Sequence, residues 1–267
     1  MKVRAITGFF FVVVLVAALL AGPYAFVPFF ALVAAFCAFE FYKMLHVERT
    51  MRTFGTLAVL AVSALAGCVL WGLVPMAALL MSVPIVLAVY LIALFRKTPD
   101  PVSDIAHTLT GILYAALPFS FFMALGFMGG TYNAHLPLGF LILLWTNDTG
   151  AYLAGRSFGR RKLFQRISPG KTWEGFAGGV LLATLAALSF DRYFGTLQKW
   201  EWATVALIIG VFGTAGDLVE SMLKRQAGIK DSGNILPGHG GFLDRFDGLL
   251  LAAPLVYVFL ELVVRAQ

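Results

Sequence analysis

Runs of apolar residues, each about as long as a bilayer core is thick, follow one another through this chain and constrain its fold more than any other feature. A helix needs about 20 predominantly apolar residues to cross the hydrocarbon layer. Stretches of that kind occur near 5–21, 24–42, 55–73, 75–95, 108–128, 137–155, 175–191, 201–221 and 247–264. The expectation is an all-α fold, a polytopic transmembrane helical bundle of about nine spans. Only 13% of the 267 residues are charged, against about 25% in a soluble domain. No polar block is present that could form a separate soluble domain, so 1–267 reads as a single integral membrane domain. Residues 1–130 supply N-terminal spans, and 131–267 supply spans and loops that carry the chemistry. Pro28 and Pro84 fall inside expected spans and are expected to kink them. The first 25 residues have the basic start, apolar stretch and small-residue end of a signal peptide. Everything downstream is equally apolar, and a retained first helix is expected.

Lys and Arg placement sets the direction. With the N-terminus in the cytoplasm and nine spans threaded, all but Arg192, Lys199 and Arg265 of the 20 basic residues lie inside, as the positive-inside tendency requires. Two inside loops are long: 156–174, the most basic segment, and 222–246. The chemistry is therefore expected at the cytoplasmic face. Cys37 and Cys68 sit in apolar runs without metal spacing, which argues against a zinc site or a disulfide framework.

Ionisable groups in or at the mouths of membrane helices are costly and are functional candidates by default. Asp148 lies in LLWTNDTGAYLAG, Asp217 and Glu220 in GTAGDLVESMLKR, and Asp244 and Asp247 open the last span. Asp217, Glu220, Ser221 and Lys224 stand at i, i+3, i+4 and i+7, on one helical face. Asp244 and Asp247 are likewise three apart. Carboxylates gathered this way repel unless a cation sits among them, and oxygen ligands favour a hard ion such as Mg²⁺. The plain alternatives are a helix cap for Asp244 and an ion pair of Asp217 with Lys224 or Arg225. Glu40 reads as an interfacial partner of Lys43 at i+3 as readily as anything else. Gly-rich turns beside Lys and Arg in KRQAGIKDSG and RISPGKTWEG can cradle phosphate, although PGKT lacks the P-loop spacing. His239, between Gly238 and Gly240-Gly241, stands where backbone can approach a ligand closely; His46, His107 and His135 sit near loops.

The run from Ser221 to Asp247, SMLKRQAGIKDSGNILPGHGGFLDRFD, resembles the signature of the phosphatidate cytidylyltransferases, the CDP-diacylglycerol synthases. Ser221, Lys224-Arg225, Lys230-Asp231, His239-Gly240-Gly241, Asp244-Arg245 and Asp247 supply its elements. Residues 147–175, NDTGAYLAGRSFGRRKL followed by SPGKTWEG, resemble the family's second characteristic region. The first 100 residues match only in general character. The resemblance implies a membrane enzyme that joins CTP and phosphatidate to give CDP-diacylglycerol and diphosphate. It implies a divalent cation, normally Mg²⁺, in a metal pair that can include K⁺, and a homodimer. By position, Asp217, Ser221 and Asp244 lie at the metal. Lys224, Arg225, Lys230 and Arg245 face phosphate, and Asp217, Asp244, Lys224, Arg245 and His239 form the catalytic set. Asp148, Lys171, Asp231, Gly240, Gly241 and Asp247 complete the substrate-binding set with Ser221, Arg225 and Lys230. The expected location is the inner (plasma) membrane with the site facing the cytoplasm, and no nucleic acid partner is expected. A CTP-dependent lipid kinase, or a cytidylyltransferase for another lipid phosphate, makes the same demands on metal and nucleotide. An ion-coupled transporter fits less well, because its site would lie near the midplane between repeats.

Overall fold

The computed structural model describes residues 2–233, 235 and 240–265. They fall into two compact units, one comprising 1–124 with 231–246 and the other 125–230 with 247–267.

In the first unit, α1 (Lys2–Leu20), α2 (Pro23–Met44) and α3 (Arg49–Leu70) are followed by a 3₁₀ segment, Met76–Met81, that leads into α4 (Ser82–Leu94). Then come α5 (Pro101–Gly111), a π turn at Ile112–Ala116 and α6 (Leu117–Leu125). The helix starts are written in the sequence. Pro23 opens α2 after Gly22, whose φ of 96° suits glycine. Glu48 caps α3 by accepting from the backbone N–H groups of Thr50 (2.7 Å) and Met51 (3.1 Å). Asp100 caps α5 ahead of Pro101. Pro84 falls in the first turn of α4 and not inside a longer helix. A missing N–H costs nothing there, so the kink expected within 75–95 is replaced by a helix start. The core is aromatic. Phe30 lies against Phe26, Phe119, Phe122 and Phe246 with ring centroids 4.8–6.4 Å apart. Tyr42, fully buried, donates from its hydroxyl to the Thr108 carbonyl at 2.9 Å, which satisfies its polar end.

In the second unit, α7 (His135–Phe158) is followed by a hairpin of β1 (Lys162–Phe164) and β2 (Ser168–Thr172), then α8 (Trp173–Ala187), α9 (Phe190–Phe194) and α10 (Lys199–Ile208). A π turn at Ile209–Gly213 joins α10 to α11 (Thr214–Gln226), and α12 (Leu243–Phe259) ends in a π turn at Leu260–Val264. Helices α7 and α8 meet along a seam of glycines. A Cβ on Gly150 would stand 3.1 Å from the Gly179 Cα, and one on Gly175 would stand 2.8 Å from the Ala151 carbonyl oxygen. Where lipid is as apolar as the side chains, close backbone approach of this kind supplies the packing attraction.

Among the described residues, six helical stretches are long and apolar enough to cross a membrane: Pro23–Met44, Arg49–Leu70, Met76–Leu94, Pro101–Leu125, Lys199–Gln226 and Leu243–Val264. Thr7–Leu20 and Trp173–Ala187 are shorter apolar helices among the described residues. Helix α8 has 15 residues, a length of about 22 Å at 1.5 Å per residue, short of the roughly 30 Å hydrocarbon core. Helix α7 has 24 residues and carries Asn147, Asp148 and Arg156 among its apolar ones. The fold is helical as expected, with one departure. The basic loop after α7 contains the antiparallel β1–β2 hairpin, pairing Lys162 with Thr172 and Phe164 with Ser168.

Candidate active site

The hairpin is fixed at its base. Thr172 caps α8 through its hydroxyl oxygen, which accepts from Gly175 N–H at 3.1 Å, and Trp173 N–H donates to the Arg161 carbonyl at 3.0 Å. The Glu174 carboxylate accepts from the backbone N–H groups of Arg160 (3.0 Å) and Arg161 (3.2 Å). The Arg160 N–H, first among these contacts, holds the Glu174 carboxyl below the ordinary glutamate range. With its base held, the hairpin places Lys171 opposite α11, where Lys171 Nζ meets Asp217 Oδ2 at 2.6 Å.

Helix α11 shows the predicted face. Ser221 Oγ donates to Asp217 Oδ1 at 3.2 Å, and Lys224 Nζ lies 2.6 Å from Glu220 Oε2. Glu220 is fully buried. Arg225 donates from Nε to the Ile167 carbonyl (3.4 Å) and from Nη1 to the Ile229 carbonyl (3.3 Å), tying α11 to the hairpin turn. Asp247 accepts from Gly248 N–H at 2.7 Å and lies within the electrostatic reach of Asp217, Asp148 and Lys171. Gly216 allows α11 to approach the Asp247 backbone closely.

Between these elements a cleft of about 390 Å³ opens, within the range of small-molecule sites. Asn147, Asp148 and Gly155 line it from α7, Lys171 and Thr172 from β2, Gly175 and Phe176 from α8, and Thr214 and Asp217 from α11. Asn147 is buried, and its Oδ1 has no hydrogen-bond partner among the described residues. Every acidic donor here is a hard oxygen. Three carboxylates share the neighbourhood of Lys171, so the charge and donor type suit a divalent cation with phosphate.

Residues 2–263 match the sequence profile described as the cytidylyltransferase family. The chain belongs to that family. It is 49% identical over 122 residues to the phosphatidate cytidylyltransferase of Bacillus subtilis (strain 168), a match covering 45% of each chain. It is 44% identical over 160 residues to the protein of that name from Staphylococcus aureus (strain COL), and 42% identical over 160 residues to the one from Staphylococcus haemolyticus (strain JCSC1435), each match covering 59% of both chains. The chain thus spans about half the length of the curated relatives it matches.

Of the residues singled out in this cytidylyltransferase-family sequence, Asp148, Lys171, Asp217, Ser221 and Asp247 come together in the second unit. Asp244 lies in the first unit. Its carboxylate accepts from Ser232 N–H (3.0 Å), Ser232 Oγ (3.0 Å) and Gly241 N–H (2.8 Å). Gly240, at φ 79°, makes the turn beside it. Lys230, Asp231 and Arg245 are exposed. His239 lies outside the described residues. Among the described residues, no group of three or more His, Cys, Asp or Glu side chains is arranged to hold a metal ion. Mg²⁺ does not need one, because it takes one or two carboxylates and completes its shell with water and phosphate. Sequence reasoning passed over Thr172 and Glu174, whose signal is the helix-cap pattern ahead of α8.

Proposed function

We propose that this protein transfers the cytidylyl group of CTP to phosphatidate, releasing diphosphate and forming CDP-diacylglycerol. The carrying observation is the Lys171–Asp217 pair, flanked by Asp148 and Asp247, at the wall of a cleft beside a basic hairpin. The names of the relatives support the same substrates.

Phosphatidate's phosphomonoester is largely ionised near neutral pH, so the attacking oxygen needs little deprotonation. The oxygen–phosphorus bond forms at the α-phosphorus of CTP as the bond to the β-phosphate oxygen breaks, and no net proton transfer is needed. The difficulty is bringing two anions together and stabilising the departing charge. Lys171 serves both ends. Its ammonium holds Asp217 in the resting cleft, and an arriving phosphate competes with that carboxylate for it. The exposed Arg160, Arg161 and Lys162 of the hairpin draw the nucleotide in. Asp217 with Ser221 is the pair proposed to hold Mg²⁺, and the resemblance adds Asp244, whose assignment rests on the motif alone. Mg²⁺ supplies charge neutralisation on the phosphates; K⁺ is proposed as a companion ion on the resemblance alone. Lys224, Arg225, Lys230 and Arg245 are proposed as the remaining phosphate contacts, with Asp231, Gly240 and Gly241 shaping the loop. His239 is proposed as a member of the catalytic set on the signature alone.

The proposed setting is a bundle of about nine spans in the inner membrane, with a cytoplasmic N-terminus and site, assembled as a homodimer. Purified protein in detergent, given CTP, phosphatidate and Mg²⁺, is expected to release diphosphate and to form a cytidine-containing lipid. Transfer of the γ-phosphate to lipid with release of CDP would replace this reading with a lipid kinase, and no turnover of CTP would remove it.

A further inference from the structure

In the first unit a second carboxylate, Glu40, has no role in the assignments above. It projects from α2 and is 2% exposed. Its Oε2 accepts from Ser232 Oγ at 3.1 Å and from Leu243 N–H at 2.9 Å, the first residue of α12. The same Ser232 hydroxyl lies 3.0 Å from Asp244 Oδ2. A hydroxyl has one hydrogen, so Ser232 shares it between two carboxylates that are 204 positions apart in the chain. Gly233 and Gly241 pack directly on the Glu40 carboxylate, and neither has room for a side chain there. Phe36, one helical turn before Glu40, stacks on Phe242 with ring centroids 5.1 Å apart. A buried carboxylate is costly unless it accepts well-placed hydrogen bonds. All those that Glu40 accepts come from the segment that carries Asp244.

We infer that Glu40 is a positioning residue: by accepting from Ser232 and Leu243 it ties residues 231–233 to the start of α12 and sets the direction of the Asp244 carboxylate. This rests on the proposed cytidylyl transfer, in which Asp244 takes part. Glu40 itself touches no substrate, and what it contributes is acceptor geometry. Charge is incidental to that role, which separates two conservative variants. In Glu40→Gln the amide oxygen accepts from the same two donors. In Glu40→Asp the charge stays but the acceptor withdraws by one methylene.

The test compares both variants, and Ser232→Ala, in the full-length purified protein. One readout is cytidylyl transfer, and the other is the rate of tryptic cleavage after Arg245 in the absence of substrate. Glu40→Gln is expected to stay within threefold of the parent in kcat and cleavage rate. Glu40→Asp is expected to lose tenfold or more in kcat, with KM for CTP within threefold, and to be cleaved at least fivefold faster. Ser232→Ala is expected to follow Glu40→Asp in both. An active Glu40→Asp beside an inactive Glu40→Gln would make the charge the essential property and overturn the inference, as would parental behaviour of all three variants. If the parent itself shows no cytidylyl transfer, the proposed function fails. The cleavage rates still decide whether Glu40 holds the segment.

Discussion

Two groups of carboxylates distinguish the two units, and they are satisfied in opposite ways. In the first, Glu40 and Asp244 are met by a hydroxyl and backbone N–H groups, and glycines close over them. In the second, Asp217 is met by a lysine side chain at the wall of an open cleft, and both it and Asp148 lie close enough to Asp247 to repel it. Backbone donors cannot leave, so the first group is built to hold chain in place. A lysine can exchange one anion for another, so the second is built to exchange ligands. The same residue type thus holds chain in place at Glu40 and meets an exchangeable partner at Asp217, and the partner decides which.

The largest effect that can break this contrast is at Asp217. Asp217→Ala is expected to lower kcat about 10³-fold, on the order of 4 kcal/mol, while the protein still inserts and unfolds at its usual temperature. Near-parental transfer in a coupled diphosphate assay would erase the distinction. Next is Lys224→Met, which removes the ammonium 2.6 Å from the fully buried Glu220. Losing one member of a buried pair costs about 3 kcal/mol or more, so denaturant titration in mixed micelles should show a clear loss of stability. An unchanged midpoint would mean that the pair is not structural.

Lys171→Met sharpens the comparison further. It is expected to reduce kcat/KM for CTP about 10²-fold, as loss of one preorganised charge does, with little change in melting temperature. An unaltered kcat/KM would show that phosphate does not compete for this ammonium. Smaller still is Thr172→Ala, which removes the α8 cap and should cost about 1 kcal/mol, read by thermal unfolding followed by circular dichroism. The smallest effect concerns pH. Folding holds Glu174 below its usual value of 4.5, so the stability it lends the hairpin is complete above 4.5. It is lost as pH falls through the lower folded value. Protection of the Arg160 and Arg161 amides, taken against the intrinsic exchange rate at each pH, should fall in that acid window and nowhere above it; constant protection across it would release Glu174 from the role.

Much of the second group was readable in advance. Asp217 and Ser221 are four apart, acidic and polar residues in apolar surroundings are conspicuous, and the lysine of PGKT lies near the end of the most basic segment. In the first group Asp244 was conspicuous too, but Glu40 was not, because its logic is non-local. Glu40 has Lys43 three residues on, a sufficient local explanation, and its actual partners are more than 190 positions away. The hairpin was missed for a different reason. Its strands are three and five residues long, too short for a period to declare itself, and they are held by caps at their base. The span count was read from hydropathy alone. That measure ranks α7 and α8 with the other helices, until the polar residues of one and the 15-residue length of the other are weighed.

The glycine seam between α7 and α8 has a consequence for what the cleft can admit. The two helices that carry the hairpin meet closely at Gly150 with Gly179 and at Gly175 with Ala151, and the Thr172 hydroxyl and the Glu174 carboxylate fasten its base. The spacing of α7 and α8 is therefore set by close contact, and with it the separation of the cleft walls that Asn147 and Gly175 line. A ligand must match it on arrival, and selectivity among nucleotides or lipids has to come from the side chains projecting into the gap.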